Sequence, residues 1–318
     1  MEHRDRFRIP LAMACVYLIW GGTYLGMKFA LESIPPFLMA GVRFLLAGSV
    51  LYAAARFSGA PRPKWREWAG PASVGAFLLL GGNGGICWAE QYVPSGIAAL
   101  LVATMPLCTT LIGWLAWRRK RPNRLVVLGL LVGFSGIALM TWQSGQLDGT
   151  GRVGVAGLLA CGLATLSWSF GSTWSPRVRQ PASPWMATAM QQLSGGALLL
   201  LMAAVLGDFG RFQLSAMTWR AGLSFGYLVV FGSLIAYSAY VWLLRHADLA
   251  FVSTYTYVNP LVAVLLGWLL AGEPMRPGFA LSVGVILTGV LLVNRFKEGT
   301  PTSAIAKDAA PEPAEGSA

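Results

Sequence analysis

Long apolar runs, each closed by a short polar or basic break, follow one another along this chain from residue 10 to residue 295. Ten such runs are bounded at roughly 10–30, 36–56, 69–89, 95–117, 124–142, 153–174, 184–206, 219–243, 249–271 and 278–295. A helix crosses a ~30 Å hydrocarbon core in ~20 residues, so each run predicts one membrane-spanning α-helix and the fold class is all-α. The run from Ser95 to Trp117 shows the logic: it carries no charge and stops at four consecutive cations, Arg118 to Arg121. Pro106 sits within it. A soluble helix would lose ~3 kcal/mol or more there, whereas packed membrane helices tolerate the defect.

The pattern repeats. At one constant offset Trp88 falls on Trp242, Pro106 on Pro260, Leu107 on Leu261, Gly113 on Gly267, Trp114 on Trp268 and Leu115 on Leu269. At a slightly shorter offset Leu18 falls on Leu166, Trp20 on Trp168, Pro36 on Pro184 and Gly48 on Gly196. The chain therefore divides into residues 1–9, a first five-helix repeat at 10–142, a connecting loop at 143–152, a second repeat at 153–295 and a tail at 296–318. The tail is rich in Ala, Pro, Glu and Lys and reads as disordered. Five is odd, so the two repeats are expected to be inverted in the membrane. Inverted repeats are an architecture of secondary transporters, which hold their solute between the halves.

Composition agrees. Only 12% of the 318 residues are charged, about half the share in a soluble domain. The formal charge of +11 lies between apolar runs, which excludes nucleic acid as a partner and fits membrane topology. With the N-terminus in the cytoplasm, all but six of the 24 Lys and Arg residues fall on the cytoplasmic side or in the cytoplasmic tails. The exceptions are Lys28, Arg43, Arg152, Arg211, Arg220 and Arg276. An even number of spans then places both termini in the cytoplasm. The first apolar run has no cleavage site after a short core and is expected to remain as a span. Cys15, Cys87, Cys108 and Cys161 lie within apolar runs and read as packing residues. Gly22-x-x-x-Gly26, Gly129-x-x-x-Gly133 and Gly222-x-x-x-Gly226 have the spacing of close helix contacts, within the chain or at a homodimer seam. Monomer and homodimer both stand.

Candidate chemistry is sparse. No phosphate loop, HExxH, GxSxG or metal-ligand spacing occurs, so no cofactor or metal is expected and the chain is not read as an enzyme. Gly81-Gly82-Asn83-Gly84-Gly85 reads as a flexible or unwound segment lining a cavity, with Asn83 supplying a hydrogen bond. Ionisable groups inside spans are costly and few. Arg43 is the deepest, a fixed cation for a carboxylate or a structural partner of a carboxylate or backbone carbonyls. Lys28, Glu90 and Glu273 fall at the outer face as candidate gating residues, and Pro106 and Pro260 are candidate hinges. Trp20 and Trp168 occupy matching deep positions rather than the interfacial belt. Tyr24, Trp88, Tyr237, Tyr240, Trp242, Tyr255, Tyr257 and Asn259 add polar-tipped groups at depth. Gln191 is the repeat mate of Arg43. The set Trp20, Tyr24, Arg43, Asn83, Trp88, Trp168, Gln191, Tyr237, Tyr255 and Asn259 forms the expected binding site for a small amphipathic solute.

The residues Leu18-Ile19-Trp20-Gly21-Gly22 with Lys28, Pro36, Arg43-Phe44, Ala89-Glu90, Met105-Pro106, Asn259-Pro260 and Gly272-Glu273 are similar to a known pattern. Over residues 10–295 the chain resembles the EamA-type members of the drug/metabolite transporter superfamily. The resemblance implies a ten-helix, inverted-repeat permease of the inner membrane, exporting amino acids or related metabolites by alternating access through a central cavity. Two departures matter. Arg118-Arg119 stands where the family often repeats a Gly-Glu turn, leaving Glu273 alone. The first span has no glutamate before Glu32, so the proton exchange of half-size relatives does not transfer. An intramembrane lipid-modifying enzyme and a non-transporting scaffold or receptor remain as rival readings.

Overall fold

The structure is a computed structural model and describes residues 5–89, 91–93, 95–118, 121–143, 155–271 and 278–296. All regular structure among these residues is helical. In chain order the spans are α1 (Asp5–Ala30), α2 (Pro36–Phe57), α3 (Trp65–Ala89), α4 (Ser95–Val102 and Met105–Leu115), α5 (Arg124–Gln143), α6 (Val155–Trp174), α7 (Pro184–Val205), α8 (Trp219–His246), α9 (Leu249–Ser253 and Tyr255–Ala271) and α10 (Phe279–Phe296). Nine of them, among the described residues, are long and apolar enough to cross a membrane. The tenth, α4, is interrupted by a turn at Ala103-Thr104.

Lipid offers no hydrogen bonds, so backbone groups must pair within each helix and polar side chains must turn inward. That is the observed distribution. Leu18, Leu46, Leu163, Leu201, Leu223 and Leu291 point outward, while Thr109, Thr165, Ser169, Ser172, Gln191 and Gln192 are buried. Five spans precede and five follow the 144–154 connection, so the halves run in opposite senses.

The packing follows the duplication. Repeat mates pair directly: α2 lies along α7, and α5 along α10. The other contacts come in matched sets. α1 packs on α8 and α9, as α6 packs on α3 and α4; α3 meets α7, as α2 meets α8. Small residues set the spacing. A Cβ at Gly289 would lie 2.4 Å from the Gly133 nitrogen, so α5 and α10 touch backbone to backbone. A Cβ at Gly196 would lie 2.9 Å from the Leu45 nitrogen on the α2–α7 seam. Of the three small-residue motifs, Gly129/Gly133 serves the α5–α10 seam and Gly22/Gly26 receives Tyr227 and Leu228 of α8. Gly222 meets only Met217 and Gly226 nothing.

Two further features shape the interior. The third and eighth spans each contain a π-helical stretch, Ala76–Gly84 and Leu228–Ala236, at nearly equivalent places in the two repeats. Such widened turns concentrate at functional sites. The first turn of α2 is capped across the halves: Asp208, in the α7–α8 connection, accepts from the Phe37 and Leu38 N–H groups at 3.0 and 3.2 Å and pairs with Arg211. The carboxylate thus satisfies first-turn N–H groups that have no intrahelical acceptor.

Gly289→Ala is expected to lower the unfolding midpoint of the detergent-purified protein, at a cost of about 1–3 kcal/mol from overpacking. Gly226→Ala, with open space around it, should cost nothing. Equal midpoints for the two variants in thermal unfolding would show that the α5–α10 seam is not close-packed.

Candidate functional site

α5 and α10 are occupied with each other, and seven of the remaining eight spans, all but α7, line a cavity of about 100 Å³ between the halves. The volume is well below the ~300–1,000 Å³ of pockets for drug-sized ligands, so the space suits a small solute. On α1 the wall is Trp20, Thr23, Tyr24 and Met27, an i, i+3, i+4, i+7 face. α2 adds Arg43 and Phe44, and α3 adds Gly82, Asn83 and Ile86. α4 adds Val102 and Met105 on either side of its break. The second half supplies Ala164, Thr165 and Trp168 from α6, Gly232 and Tyr237 from α8, and Tyr255 and Asn259 from α9.

The aromatic wall is a connected cluster. Trp20 and Trp168 meet edge to face with ring centroids 5.8 Å apart. Trp20 also lies 5.0 Å from both Tyr240 and Tyr255, and those two tyrosines are 5.6 Å apart. Edge-to-face rings favour these separations, and buried polar tips require partners. They have them. Gly232 O already accepts the Tyr237 N–H within the widened turn of α8, and its second lone pair takes Trp20 Nε1–H at 3.1 Å. Trp168 Nε1–H donates to Tyr240 Oη at 2.9 Å. Ser172 Oγ donates to Trp168 O at 2.6 Å, so at 2.6 Å the Tyr240 hydroxyl donates to Ser172 Oγ. Tyr255 Oη donates to Met105 Sδ at 3.3 Å across the halves. With its amide turned to suit its surroundings, Asn259 Nδ2 donates to Tyr17 O and Tyr255 O, each at 3.1 Å.

Arg43 breaks this economy. It is 5% exposed, its Nε has no hydrogen-bond partner, and no carboxylate among the described residues pairs with it. Its guanidinium stands 4.3 Å from the Phe44 ring centroid and faces the cavity. Gln191, at the equivalent place on α7, is satisfied: Oε1 accepts from Tyr237 Oη at 3.1 Å, and Nε2 donates to Gln180 Oε1 at 3.1 Å. One member of the repeat pair is consumed by the protein. The other keeps donor capacity facing the cavity.

The glycine run of α3 is neither unwound nor open. It is helical throughout, and its glycines admit neighbouring helices. Cβ atoms would lie 2.2 Å from Ser167 Oγ at Gly81, 2.6 Å from the Trp168 ring at Gly82 and 2.8 Å from Ala164 Cβ at Gly85. Asn83 is left facing the cavity, with Cys87 Sγ 3.8 Å from its Oδ1.

Of the ten residues expected at the binding site, eight line the cavity: Trp20, Tyr24, Arg43, Asn83, Trp168, Tyr237, Tyr255 and Asn259. Gln191 is buried behind Tyr237, and Trp88 packs on Tyr92 at 4.7 Å, away from this wall. Thr23, Met27 and Thr165 line the wall as well, and helical spacing from Trp20 and Trp168 would have found them; Met105 carries part of the family resemblance. Lys28 is exposed in the last turn of α1. Glu90 and Glu273, the expected outer gate, lie outside the described residues. Pro106 opens the second piece of α4 directly after the break, whereas Pro260 lies within a continuous helix and α9 breaks earlier, at Thr254. The two breaks are joined: Thr109 Oγ1 and Ser253 Oγ are 3.1 Å apart.

The model of the EamA-like transporter family matches this chain twice, at residues 8–142 and 155–295. The chain belongs to the EamA-like transporter family. Each of the two matches covers five spans. Among relatives, the uncharacterized inner membrane transporter YedA of Escherichia coli K12 is 39% identical over 298 residues, spanning 92% of this chain and 94% of that protein. The uncharacterized transporter YvbV of Bacillus subtilis is 25% identical across 96% of this chain and 97% of its own length. A solved crystal structure shares the fold at a TM-score of 0.74 and 22% identity, over 91% of this chain and 99% of that one. This EamA protein is thus a multi-pass membrane transporter, and its family and relatives are transporters rather than enzymes.

In this EamA chain, Tyr240→Phe should orphan the buried Trp168 N–H and destabilise the protein by about 1–3 kcal/mol. Thermal unfolding of the purified variant checks it. An unchanged midpoint would mean that the Trp168–Tyr240–Ser172 ring is not a structural unit.

Proposed function

We propose that this protein is a secondary transporter exporting amino acids or closely related small metabolites across the inner membrane by alternating access, with both termini in the cytoplasm. The observation that carries the substrate class is Arg43: a buried guanidinium whose Nε has no partner among the described residues lines a small cavity together with a wall of aromatic rings. A carboxylate is the natural partner of a guanidinium, which binds it through two parallel N–H donors. The rings of Trp20, Tyr255 and Trp168 then offer apolar faces to the rest of the solute, and Asn83 offers an amide. An isolated buried cation is costly, so a solute that neutralises it gains affinity at a site where water is excluded. Inner-membrane placement rests on the name of the YedA relative and the cytoplasmic termini on the distribution of cations.

Exchange between two access states requires the halves to move, and the break in α4 beside Pro106 is the proposed hinge. Missing N–H groups at Pro106 and Pro260 weaken the helical ladder there, but only in α4 does the proline adjoin a turn.

Two measurements test this reading. Mass spectrometry of the medium should show one solute class accumulating outside cells that express the native chain. Arg43→Ala at matched membrane abundance should reduce that export roughly tenfold or more, the size expected for losing a charge-assisted contact of ~1.5–3 kcal/mol. Export at the native rate by Arg43→Ala would remove the guanidinium from substrate binding; unchanged medium, followed by absence of flux in reconstituted vesicles, would remove the transport reading for this substrate class. Pro106→Ala is expected to slow transport several-fold and Pro260→Ala less. Native rates in both variants would sink the hinge.

A further inference from the structure

A second cavity, of about 840 Å³, lies outside the central one, between α1, α2, α7 and α8. Its wall is made by the first half of α1, the second half of α2, the start of α7 and the last three turns of α8. The helices separate there for a local reason. Gly22, Gly26 and Gly232 hold α1 close to α8, but beyond Gly21 on α1 and Gly232 on α8 no glycine follows toward the Arg8 and Arg245 ends.

The chemistry of the groove is graded. Leu11, Val50, Trp185 and Ile235 are exposed large apolar side chains along its wall. At one end stand Arg8 of α1 and Arg245 with His246 of α8. Arg245 Nη2 is buried without a hydrogen-bond partner, as is Ser238 Oγ two turns deeper. The His246 ring stacks on Trp242 at 4.2 Å, and its Nδ1 lies 2.8 Å from Trp242 O. A carbonyl oxygen only accepts, so Nδ1 carries the proton. No carboxylate lines the groove among the described residues.

We propose that this groove is a binding site for one anionic phospholipid. Its headgroup phosphate sits on Arg245 and Arg8, with one acyl chain lying along Ile235 and Leu11. Charge complementarity selects the occupant: two arginines at one end with no carboxylate among the described lining residues, and apolar side chains beyond them. The dimensions agree. From Leu234 to His246 the groove follows α8 for about 18 Å at 1.5 Å per residue, close to the ~15 Å acyl depth of one leaflet. A soluble anion would use the arginines but leave the apolar wall uncovered, and a second protein chain would have no need of an unpaired cation at its rim.

The test uses the full chain, purified in mild detergent, delipidated and offered equal amounts of phosphatidylglycerol and phosphatidylcholine, with adducts counted by native mass spectrometry. The native chain should retain one phosphatidylglycerol in preference to phosphatidylcholine, by about thirtyfold at roughly fivefold per arginine. Arg8→Gln with Arg245→Gln should abolish the preference, and Arg245→Lys should keep most of it. Ala239→Trp, which fills the groove without changing charge, should remove the retained lipid. An unfolding midpoint confirms that each variant is folded. Equal uptake of the two lipids by the native chain would overturn the proposal. So would full preference in the double Gln variant, because the other basic segments would then be the site, and so would a retained lipid in Ala239→Trp.

Discussion

The absence of hydrogen-bond partners in the hydrocarbon core governs this molecule. A polar group within a span must find its partner inside the protein or bear a cost of several kcal/mol. The interior shows how that demand is met. The α8 widened turn presents Gly232 O to Trp20, and the α3 widened turn presents Phe77 O to Ser167 Oγ at 2.8 Å. Tyr257 Oη, at 2.9 Å from Leu130 O, ties α9 to α5 in the same manner. These bonds cross between helices, so they fix how the spans sit as well as satisfying the groups that make them. Against that background an unsatisfied buried guanidinium is informative. Among the described residues both ends of the Gln191 amide are paired, whereas Nε of its repeat mate Arg43 has no partner.

The duplication supplies a scaffold, and the departures from it supply the site. Matched features hold the framework: the α2–α7 and α5–α10 seams, the paired widened turns and the interruptions in α4 and α9. The cavity wall is where mates diverge. Trp20 donates to a backbone carbonyl and Trp168 to a tyrosine hydroxyl; Arg43 faces Gln191; Phe44 faces Gln192. A symmetric cavity would present the same chemistry to both ends of a solute. This one offers a cation from the first half alone, while aromatic rings come from both halves.

Much of this was legible in the chain because membrane spans obey a one-dimensional rule. Ten runs bounded by hydropathy reproduce the ten spans to within a few residues at most boundaries, and the repeat and the family resemblance pointed to Trp20, Trp168 and Arg43 as inward-facing. What stayed hidden depends on angle and distance. Nothing in a glycine run separates a loosened helix from one that is closely packed, and Gly81 to Gly85 is the second. Trp88 is, like Trp20, a tryptophan within an apolar run, but it packs on Tyr92 outside the cavity. Pro260 marks no break, because a proline removes one donor without dictating where a neighbouring turn forms; the turn came at Thr254, where Tyr17 Oη lies 2.7 Å from the threonine hydroxyl.

The joined breaks bear on how the halves could move. The breaks of α4 and α9 are coupled through Thr109 and Ser253, and Tyr255, the first residue beyond the α9 break, reaches Met105, the first helical residue after the α4 break. Both contacts link opposite halves, and the second lies at the cavity wall. A rigid rocking of one half against the other must slide or break them, whereas the close backbone seams of α2–α7 and α5–α10 resist displacement. Under the proposed alternating access, the broken spans are the place where a hydroxyl pair and a thioether contact would re-form in a second arrangement. The same residues also touch the solute space through Met105 and Tyr255. A solute that alters the position of Tyr255 acts directly on the contact that joins the halves, which is the physical requirement for binding to bias access.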